Sequence, residues 1–268
     1  MKRVKKAVIP AAGYGTRSLP ITKVLPKEMF PIAGKPAIHY IVEEAVASGI
    51  EEVLIVVSRN KNMILDYFDR SLELEAFLTE KNKLHLIEKT KIPSIHIQFV
   101  RQPYAKGLGD AIWLAERFVG KEPFAVLLPD DILLSQKEPA LQQLINVYEN
   151  TQGHVLGLKQ VEYEKLQNYG VINGSKIKDD EYNINDIIEK PKEFPPSNLA
   201  VIGRYILNPS IFSAFKHISP GVGGEMQLTD AIKHLLKDES VFGKELLVDR
   251  YDIGNSKDYL KIINKMSE

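Results

Sequence analysis

The segment "KAVIPAAGYGTR" (Lys6–Arg17) decides the fold, because a short β-branched run passes directly into a glycine loop. The next segment, "KPAIHYIVEEAVASG" (35–49), carries apolar residues at helical spacing and ends on glycine. It leads into "EEVLIVVS" (51–58), a wholly apolar run typical of a strand that is covered on both faces. Strand, loop, helix and strand in this order, with short connections, predict a parallel sheet and a right-handed crossover.

The rest of the chain continues this alternation and then changes character. Residues 60–94 predict an exposed, highly charged helical excursion, and the patterns that follow predict a strand in "IPSIHIQFV", a helix in "GLGDAIWLAERFVG" and a strand in "PFAVLLPDDI". Beyond residue 150 the strand-like pieces are shorter and are interspersed with turn residues. This change favours a second sheet layer or subdomain, although no Gly/Ser linker divides the chain.

The composition favours a small-molecule partner. Lys and Arg equal Asp and Glu at 35 each among 268 residues, so no overall basic field argues for nucleic acid or a membrane. The chain has no cysteine, which excludes disulfides, thiolate metal sites and cysteine nucleophiles. Pro10 and the following glycines interrupt the apolar stretch after the basic start, unlike a signal peptide, and no run reaches the ~18 apolar residues of a membrane helix. We therefore expect a cytoplasmic protein.

The glycine loop is a candidate phosphate site. Gly13 and Gly15 would let the backbone N–H groups of residues 12–16 converge on an anion, with Arg17 and Lys27 supplying positive charge. A plain strand–helix turn with surface cations is the alternative. The Walker pattern is absent, and the dinucleotide fingerprint would need glycine in place of Ser18, so ATPase and dehydrogenase readings lose support.

Acidic residues suggest a metal site. Asp130 and Asp131 follow "FAVLL", where open α/β sheets place their ligands, and Asp252 follows another strand-like run. Adjacent acids suit Mg²⁺, which takes one or two carboxylates and completes its shell with water and phosphate oxygens. The alternative is a loop acid that caps the next segment.

Two further segments are open to functional or structural interpretation. Pro191 fixes the turn after Glu189 and Lys190, which could direct Lys190 at a second phosphate, although such a pair is usually a solvated surface pair. Glu225, in "GVGGEMQLTD", either reaches a polyol or belongs to a flexible loop before a helix. No H-E-x-x-H or G-x-S-x-G motif occurs, so zinc-protease and acyl-transfer chemistry have no support.

In their order along the chain, these segments resemble the sugar-1-phosphate nucleotidyltransferase family, and within it the bacterial UTP–glucose-1-phosphate uridylyltransferases. The resemblance runs from about Val4 to Tyr259 and rests on "VIPAAGYGTRSLPITKVLPKEMFPI", "YIVEEAVASGI", "GLGDAIWLAERFVGKEPFAVLLPDDI", "EKP", "PSNLAVIGRYIL" and "GGEMQLTDAI". It implies one nucleotidyltransferase domain over residues 1–268, with a Rossmann-like three-layer α/β/α core and a mixed, mainly parallel sheet of the nucleotide-diphospho-sugar transferase type. The implied nucleotide-binding half covers about residues 1–150, and the implied sugar-phosphate-binding half covers about 151–268.

The implied reaction converts UTP and glucose 1-phosphate to UDP-glucose and pyrophosphate, with Mg²⁺ as cofactor and a homodimer as the assembly. No protein nucleophile is needed, because a sugar phosphate oxygen attacks the α-phosphorus in line as pyrophosphate leaves.

The resemblance also implies a role for each matching position. Nucleotide binding falls on Ala11, Ala12, Gly13, Gly15, Thr16, Glu28, Gln102 and Gly107, of which Glu28 and Gln102 line the base pocket and Gly107 approaches the base. Sugar-phosphate binding falls on Gly170, Glu189, Lys190, Gly203 and Glu225. The implied catalytic residues are Arg17, Lys27, Asp130 and Lys190, and the implied Mg²⁺ ligands are Asp130 and Asp252.

Several positions depart from the family pattern. Pro129 stands where glycine is usual, Asp110 where histidine is common, and His39 where glutamine is usual; "PIAGKP" replaces "PIVDKP", and the chain stops soon after Tyr259. These departures keep two alternatives open. One is a thymidylyltransferase acting on glucose 1-phosphate, and the other is a catalytically weak paralogue that binds a sugar nucleotide and regulates another process.

Overall fold

This computed structural model describes residues 2–267, so the first and last residues of the predicted 1–268 domain lie outside it. The strands are β1 (Lys6–Pro10), β2 (Pro31–Ile32), β3 (Lys35–Pro36), β4 (Glu52–Val57), β5 (His96–Arg101), β6 (Phe124–Leu127), β7 (Asp131–Leu134), β8 (His154–Gln160), β9 (Gly170–Lys176), β10 (Glu181–Glu189), β11 (Leu199–Leu207), β12 (Val241–Glu245) and β13 (Asp249–Asp252).

The α-helices are α1 (Ala37–Ala47), α2 (Asn62–Phe68), α3 (Leu72–Glu80), α4 (Leu108–Trp113), α5 (Glu116–Val119), α6 (Ala140–Thr151), α7 (Ser210–Phe215), α8 (Leu228–Leu235) and α9 (Ser256–Ser267). Short 3-10 turns occupy Thr16–Ser18, Ile21–Lys23, Lys27–Met29, Leu84–Thr90, Tyr163–Asn168 and Val222–Gly224.

One sheet of nine strands has the order β5-β4-β1-β6-β11-β8-β12-β10-β9. Strands β5, β4, β1 and β6 are parallel neighbours, as the opening segments predict, and β8 is parallel to β12. β11 is antiparallel to β6 and β8, and β10 is antiparallel to β12 and β9. The mixed α/β fold is confirmed, and within residues 2–267 four of the eight neighbouring pairs in the nine-stranded sheet are parallel.

The strands beyond residue 150 extend this sheet, so the second sheet layer expected there does not form, and the division of the chain into two functional halves stays a prediction. β11 joins the two parts, because Arg204 pairs with Leu127 and Leu207 pairs with Phe124 on β6. Short strands with many turn residues indicate antiparallel connections here instead of a new layer.

Apolar side chains on both faces of the sheet produce three layers. On β1, Ala7 and Ile9 pack toward α1, α2 and α6, whereas Val8 packs toward α4, α7 and α8. This alternation follows from the two-residue period of a strand. The predicted three-layer arrangement is therefore confirmed.

Local predictions are confirmed for β1, α1, β4 and β5, and two others need correction. The segment 107–120 forms two helices, α4 and α5, instead of one. "PFAVLLPDDI" is not one strand, because β6 ends at Leu127 and Asp131 begins β7, which pairs antiparallel with β13. This antiparallel pairing of two strands that are distant in the sequence brings Asp131 opposite Asp252. Among residues 2–267, no helix combines the length and apolar character needed to cross a bilayer.

Candidate active site

The glycine loop leaves the sheet at the carboxyl end of β1. Ala11 and Ala12 are buried, and the Ala11 N–H donates to Val56 O at 2.7 Å. The backbone N–H groups of residues 12–16 donate no hydrogen bond to any residue between 2 and 267. Gly15 has a φ of +66°, and Gly13 has open space within 4 Å of the position that a Cβ would take. The loop therefore offers a row of backbone donors beside unfilled space, which suits an anion.

Two cations and two carboxylates meet at this edge of the sheet. Lys27 Nζ lies 2.5 Å from Asp130 Oδ2, and Arg17 Nη1 lies 2.7 Å from Asp252 Oδ2. Arg17 Nη2 is also 3.5 Å from Asp130 Oδ2, so one guanidinium spans both acids. The hydrogen bond to Asp252 is the main reason that the pKa of Arg17 is raised. For Asp130, burial opposes ionisation, but the Lys27 and Arg17 charges outweigh it and lower the pKa.

The predicted Mg²⁺ ligands have suitable chemistry. Asp130 and Asp252 are hard oxygen donors within reach of one guanidinium, and the Gly254 N–H orients Asp252 by donating to its Oδ1 at 2.9 Å. In the described part of the chain, no three His, Cys, Asp or Glu residues form a complete metal-binding group. Two carboxylates without a third protein ligand fit a metal that takes its remaining ligands from phosphate and water.

The adjacent acids Asp130 and Asp131 have different surroundings, because neighbouring side chains at the start of a strand point in opposite directions. Asp131 Oδ1 lies 2.5 Å from Arg250 Nη2, and its Oδ2 accepts from the Gly203 N–H at 3.2 Å. A Cβ at Gly203 would stand 2.8 Å from Asp131, so glycine is needed there for close packing. Asp131 therefore pairs with Arg250 and the Gly203 backbone, whereas Asp130 faces Lys27 and Arg17.

The residues predicted for the base pocket are partly engaged by protein groups. Gln102 Nε2 donates to Gly107 O at 3.3 Å and to Asp110 Oδ2 at 2.7 Å. Gly107 has a φ of +103°, and a Cβ there would stand 2.7 Å from Met226 O. Glu28 is fully buried, and its Oε2 accepts from Lys61 Nζ at 2.7 Å.

The residues predicted for the sugar phosphate fall into three places. Glu189 and Gly170 are paired across β10 and β9, and Glu189 Oε2 accepts from Thr229 Oγ1 at 2.7 Å. Lys190 follows in a left-handed conformation, with a φ of +47°. Glu225 lies in the loop before α8, and its Cβ is 2.8 Å from the position that a Cβ at Gly107 would take. Gly203 instead lies beside Asp131, as described above.

Sequence reasoning missed four residues that support the site. Arg204 is completely buried and forms two bonds to Glu44, at 2.9 Å and 2.6 Å, while also donating to Leu128 O, Gly203 O and Asp131 O. A charged residue within the apolar run "NLAVIGRYIL" was a detectable signal for it. Lys61, Arg250 and Tyr169 gave no such signal, because charged and aromatic side chains outside an apolar run are usually solvated.

Known proteins resemble this chain over nearly its whole length. Residues 6–268 match the model of the nucleotidyl transferase family. UTP–glucose-1-phosphate uridylyltransferase YngB of Bacillus subtilis (strain 168) is 51% identical, covering 95% of this chain and 86% of the relative. UTP–glucose-1-phosphate uridylyltransferase 2 of Staphylococcus saprophyticus is 48% identical, covering 97% and 91%. The solved structure of a UDP-glucose pyrophosphorylase complexed with UDP-glucose is 42% identical, has a TM-score of 0.88 and covers 98% of both chains.

Proposed function

Since the chain belongs to the nucleotidyl transferase family, we propose that it transfers the uridylyl group of UTP to glucose 1-phosphate, giving UDP-glucose and pyrophosphate. The Staphylococcus and Bacillus relatives are named for this activity, and they match 97% and 95% of this chain. The observation that carries the proposal is the meeting of Arg17, Lys27, Asp130 and Asp252 beside the glycine loop, whose N–H groups at residues 12–16 donate no hydrogen bond within residues 2–267.

The reaction needs positioning and charge neutralisation instead of a protein nucleophile. The loop of residues 11–16 would bind the phosphates through its N–H groups, while Arg17 and Lys27 offset the negative charge that develops on the departing pyrophosphate. Asp130 and Asp252 would hold Mg²⁺, which supplies further charge neutralisation at the phosphates. Lys190 would bind the phosphate of the sugar, whose oxygen attacks the α-phosphorus in line.

Sugar recognition is proposed for the other half of the site. Glu189 and Glu225 are acceptors suited to sugar hydroxyls, and Gly170 lies beside Glu189 on the neighbouring strand. We propose that Gln102 lines the base pocket and that Gly107 approaches the base. Glu28 is proposed to line the same pocket; it is fully buried and its carboxylate is paired with Lys61.

A panel of nucleotides and sugar phosphates tests the proposal. Purified protein with Mg²⁺ is given UTP, dTTP, CTP, ATP or GTP, each with glucose 1-phosphate or galactose 1-phosphate, and pyrophosphate release is measured. We expect the highest kcat/KM with UTP and glucose 1-phosphate. A higher value with dTTP would identify a thymidylyltransferase, and UDP-glucose binding without turnover would identify the regulatory alternative.

The homodimer and the cytoplasmic location stay predictions. Analytical ultracentrifugation at micromolar concentration tests the first, and a dimer mass of the full chain is the expected result. Fractionation of cells that express the full chain tests the second.

A further inference from the structure

Arg250 lies between the acids of the site and the turn that carries Lys190. It belongs to β13, two residues before Asp252, and its side chain is only 12% exposed. Its Nη2 lies 2.5 Å from Asp131 Oδ1, and its Nη1 donates to the Tyr169 hydroxyl at 2.8 Å. The guanidinium carbon also lies 4.9 Å from the centre of the Tyr169 ring. One side chain therefore contacts two elements that are far apart in the sequence.

The contact with Asp131 gives Arg250 an electrostatic role. Asp131 is adjacent to Asp130 in the chain and lies opposite Asp252 in the β7–β13 pairing. Three carboxylates therefore occupy one small region, and Arg17 and Lys27 face only the outer two. Arg250 supplies the positive charge for the third, which reduces repulsion among the acids.

The contact of Arg250 with Tyr169 leads to the Lys190 turn, where the sugar phosphate is proposed to bind. Tyr169 O accepts from the Lys190 N–H at 2.9 Å, and Tyr169 immediately precedes Gly170, the partner of Glu189 in the sheet. Lys190 is not glycine, so its left-handed backbone is disfavoured unless neighbouring contacts hold it. The Tyr169 carbonyl supplies one of these contacts, and Arg250 fixes Tyr169 through both its hydroxyl and its ring.

We propose that Arg250 is a positioning residue that connects the carboxylates of the catalytic site with the Lys190 turn and so sets where a sugar 1-phosphate lies relative to the α-phosphate. The inference rests on the proposed function, in which Lys190 binds the sugar phosphate. The connection runs from Asp131 through Arg250 and Tyr169 to Lys190. Loss of the connection should weaken the sugar phosphate contact more than the nucleotide contact.

Two conservative variants test the connection. Tyr169→Phe keeps the ring and removes only the hydroxyl acceptor, while Arg250→Lys keeps the charge beside Asp131 but cannot reproduce the two-sided guanidinium contact. We expect each variant to raise the KM for glucose 1-phosphate about tenfold, which corresponds to one lost hydrogen bond, with little change in the KM for UTP. Tyr148→Phe is the matched control, because it removes a buried hydroxyl bond to Asn208 outside this connection.

The double variant of Arg250→Lys and Tyr169→Phe gives a sharper readout. Because both substitutions break the same contact, the double variant should be little worse than either single variant in its KM for glucose 1-phosphate. A general loss of structure would instead lower the melting temperature and change both KM values together, which would overturn the inference.

Lys190→Ala separates the inference from the proposed function. If Lys190→Ala raises the KM for glucose 1-phosphate and Tyr169→Phe does not, the inference is wrong and the proposed role of Lys190 stands. If Lys190→Ala leaves that KM unchanged, the proposed role of Lys190 is wrong and the inference falls with it. Support requires that both variants raise the KM for glucose 1-phosphate while Tyr148→Phe does not.

Discussion

Lys27 Nζ lies 2.5 Å from Asp130 Oδ2, so the cation proposed for the triphosphate and the carboxylate proposed for the metal neutralise each other directly. Burial alone would lower the pKa of Lys27, but attraction to Asp130 and to Glu28 outweighs it and raises the pKa. Arg17 forms the equivalent pair with Asp252. A metal ion that binds Asp130 must therefore compete with Lys27 unless a phosphate group draws the ammonium away.

This competition predicts an unusual effect of Lys27→Met. In the absence of nucleotide, the variant should bind Mn²⁺ about tenfold more tightly than the wild type, because the competing ammonium is removed. Electron paramagnetic resonance of free Mn²⁺ measures the affinity. Lys23→Met, a change at an exposed lysine of the same loop, should leave the affinity unaltered, and Asp130→Asn should abolish binding. An unchanged or weaker affinity in Lys27→Met would contradict the pairing argument.

Gly13 should matter for the nucleotide and not for folding. A Cβ at this position meets no heavy atom within 4 Å, so Gly13→Ala should change the free energy of unfolding by less than about 0.5 kcal/mol. The same methyl group would occupy the space proposed for phosphate, and we expect the KM for UTP to rise at least about tenfold. Urea unfolding and steady-state kinetics measure the two effects. Gly203→Ala is the contrasting variant, since its Cβ would clash with Asp131 and should destabilise the fold.

Asp110 should contribute to the choice of base. Gly107 O and the Asp110 carboxylate can only accept, so they fix Gln102 with its NH₂ group toward them. Its Oε1 accepts from no residue between 2 and 267 and can accept from the base. Uracil offers an N3–H donor, whereas N3 of cytosine is an acceptor. Asp110→Ala should therefore reduce the preference for UTP over CTP, measured as the ratio of kcat/KM values, by about tenfold. Asp110→Asn retains an acceptor oxygen and should keep most of the preference; equal ratios in all three proteins would refute the role.

The buried pair of Arg204 and Glu44 should be essential for stability. Arg204→Met would leave the Glu44 carboxylate buried without its counter-charge, and we expect the free energy of unfolding to fall by about 3–5 kcal/mol. The double replacement of both residues by methionine should cost less than the sum of the two single replacements. Urea denaturation measures all three values. A loss below about 1 kcal/mol in Arg204→Met would show that the pair is not a main support of the strand ends.

His39 should make the fold sensitive to acid. Burial is the main reason that the pKa of His39 is lowered, with Lys35 adding to the effect and Glu43 opposing it. The Tyr67 hydroxyl lies 2.7 Å from Nδ1, and the ring of Tyr40 packs nearby. Because the unfolded chain binds the proton more tightly, this contribution to stability is complete above the unfolded pKa of about 6.5 and is lost as the pH falls below it.

The variant His39→Gln tests this pH dependence. Glutamine does not titrate, so the decrease in the free energy of unfolding between pH 7.5 and pH 5.5 should be smaller in the variant than in the wild type. Urea denaturation at the two pH values gives both decreases, and their difference isolates His39 from the other titrating groups. Equal decreases would show that protonation of His39 does not affect stability.

Much of the fold could be predicted because its signals are local. The apolar runs of β1 and β4 and the helical spacing of α1 identify the parallel core within the first part of the chain. The cations of the glycine loop and the acids after β6 could also be chosen, because glycine loops and strand ends are where such chemistry occurs. The structure brings Arg17 and Asp252 together in one ion pair, and the roles proposed for them stay predictions.

The features of the fold and the site that the sequence did not predict depend on pairings between distant segments. Asp130 and Asp131 point in opposite directions, and the pairing of β7 with β13, which no local sequence pattern indicates, decides what Asp131 meets. The same pairing places Arg250 beside Asp131. The expectation of a second layer failed for a related reason, since the position of β11 against β6 is decided by side-chain packing across the whole sheet.

The continuous sheet also limits how the enzyme can move. β11 is hydrogen-bonded to β6 on one side and to β8 on the other, so the proposed nucleotide-binding end and the proposed sugar-binding end share a single hydrogen-bonded framework. Opening such a framework would break many backbone bonds at once, whereas loop motion breaks few. Substrate entry and product departure should therefore depend on the loops at residues 11–29 and 219–227, and the rate of their opening would set an upper limit on turnover.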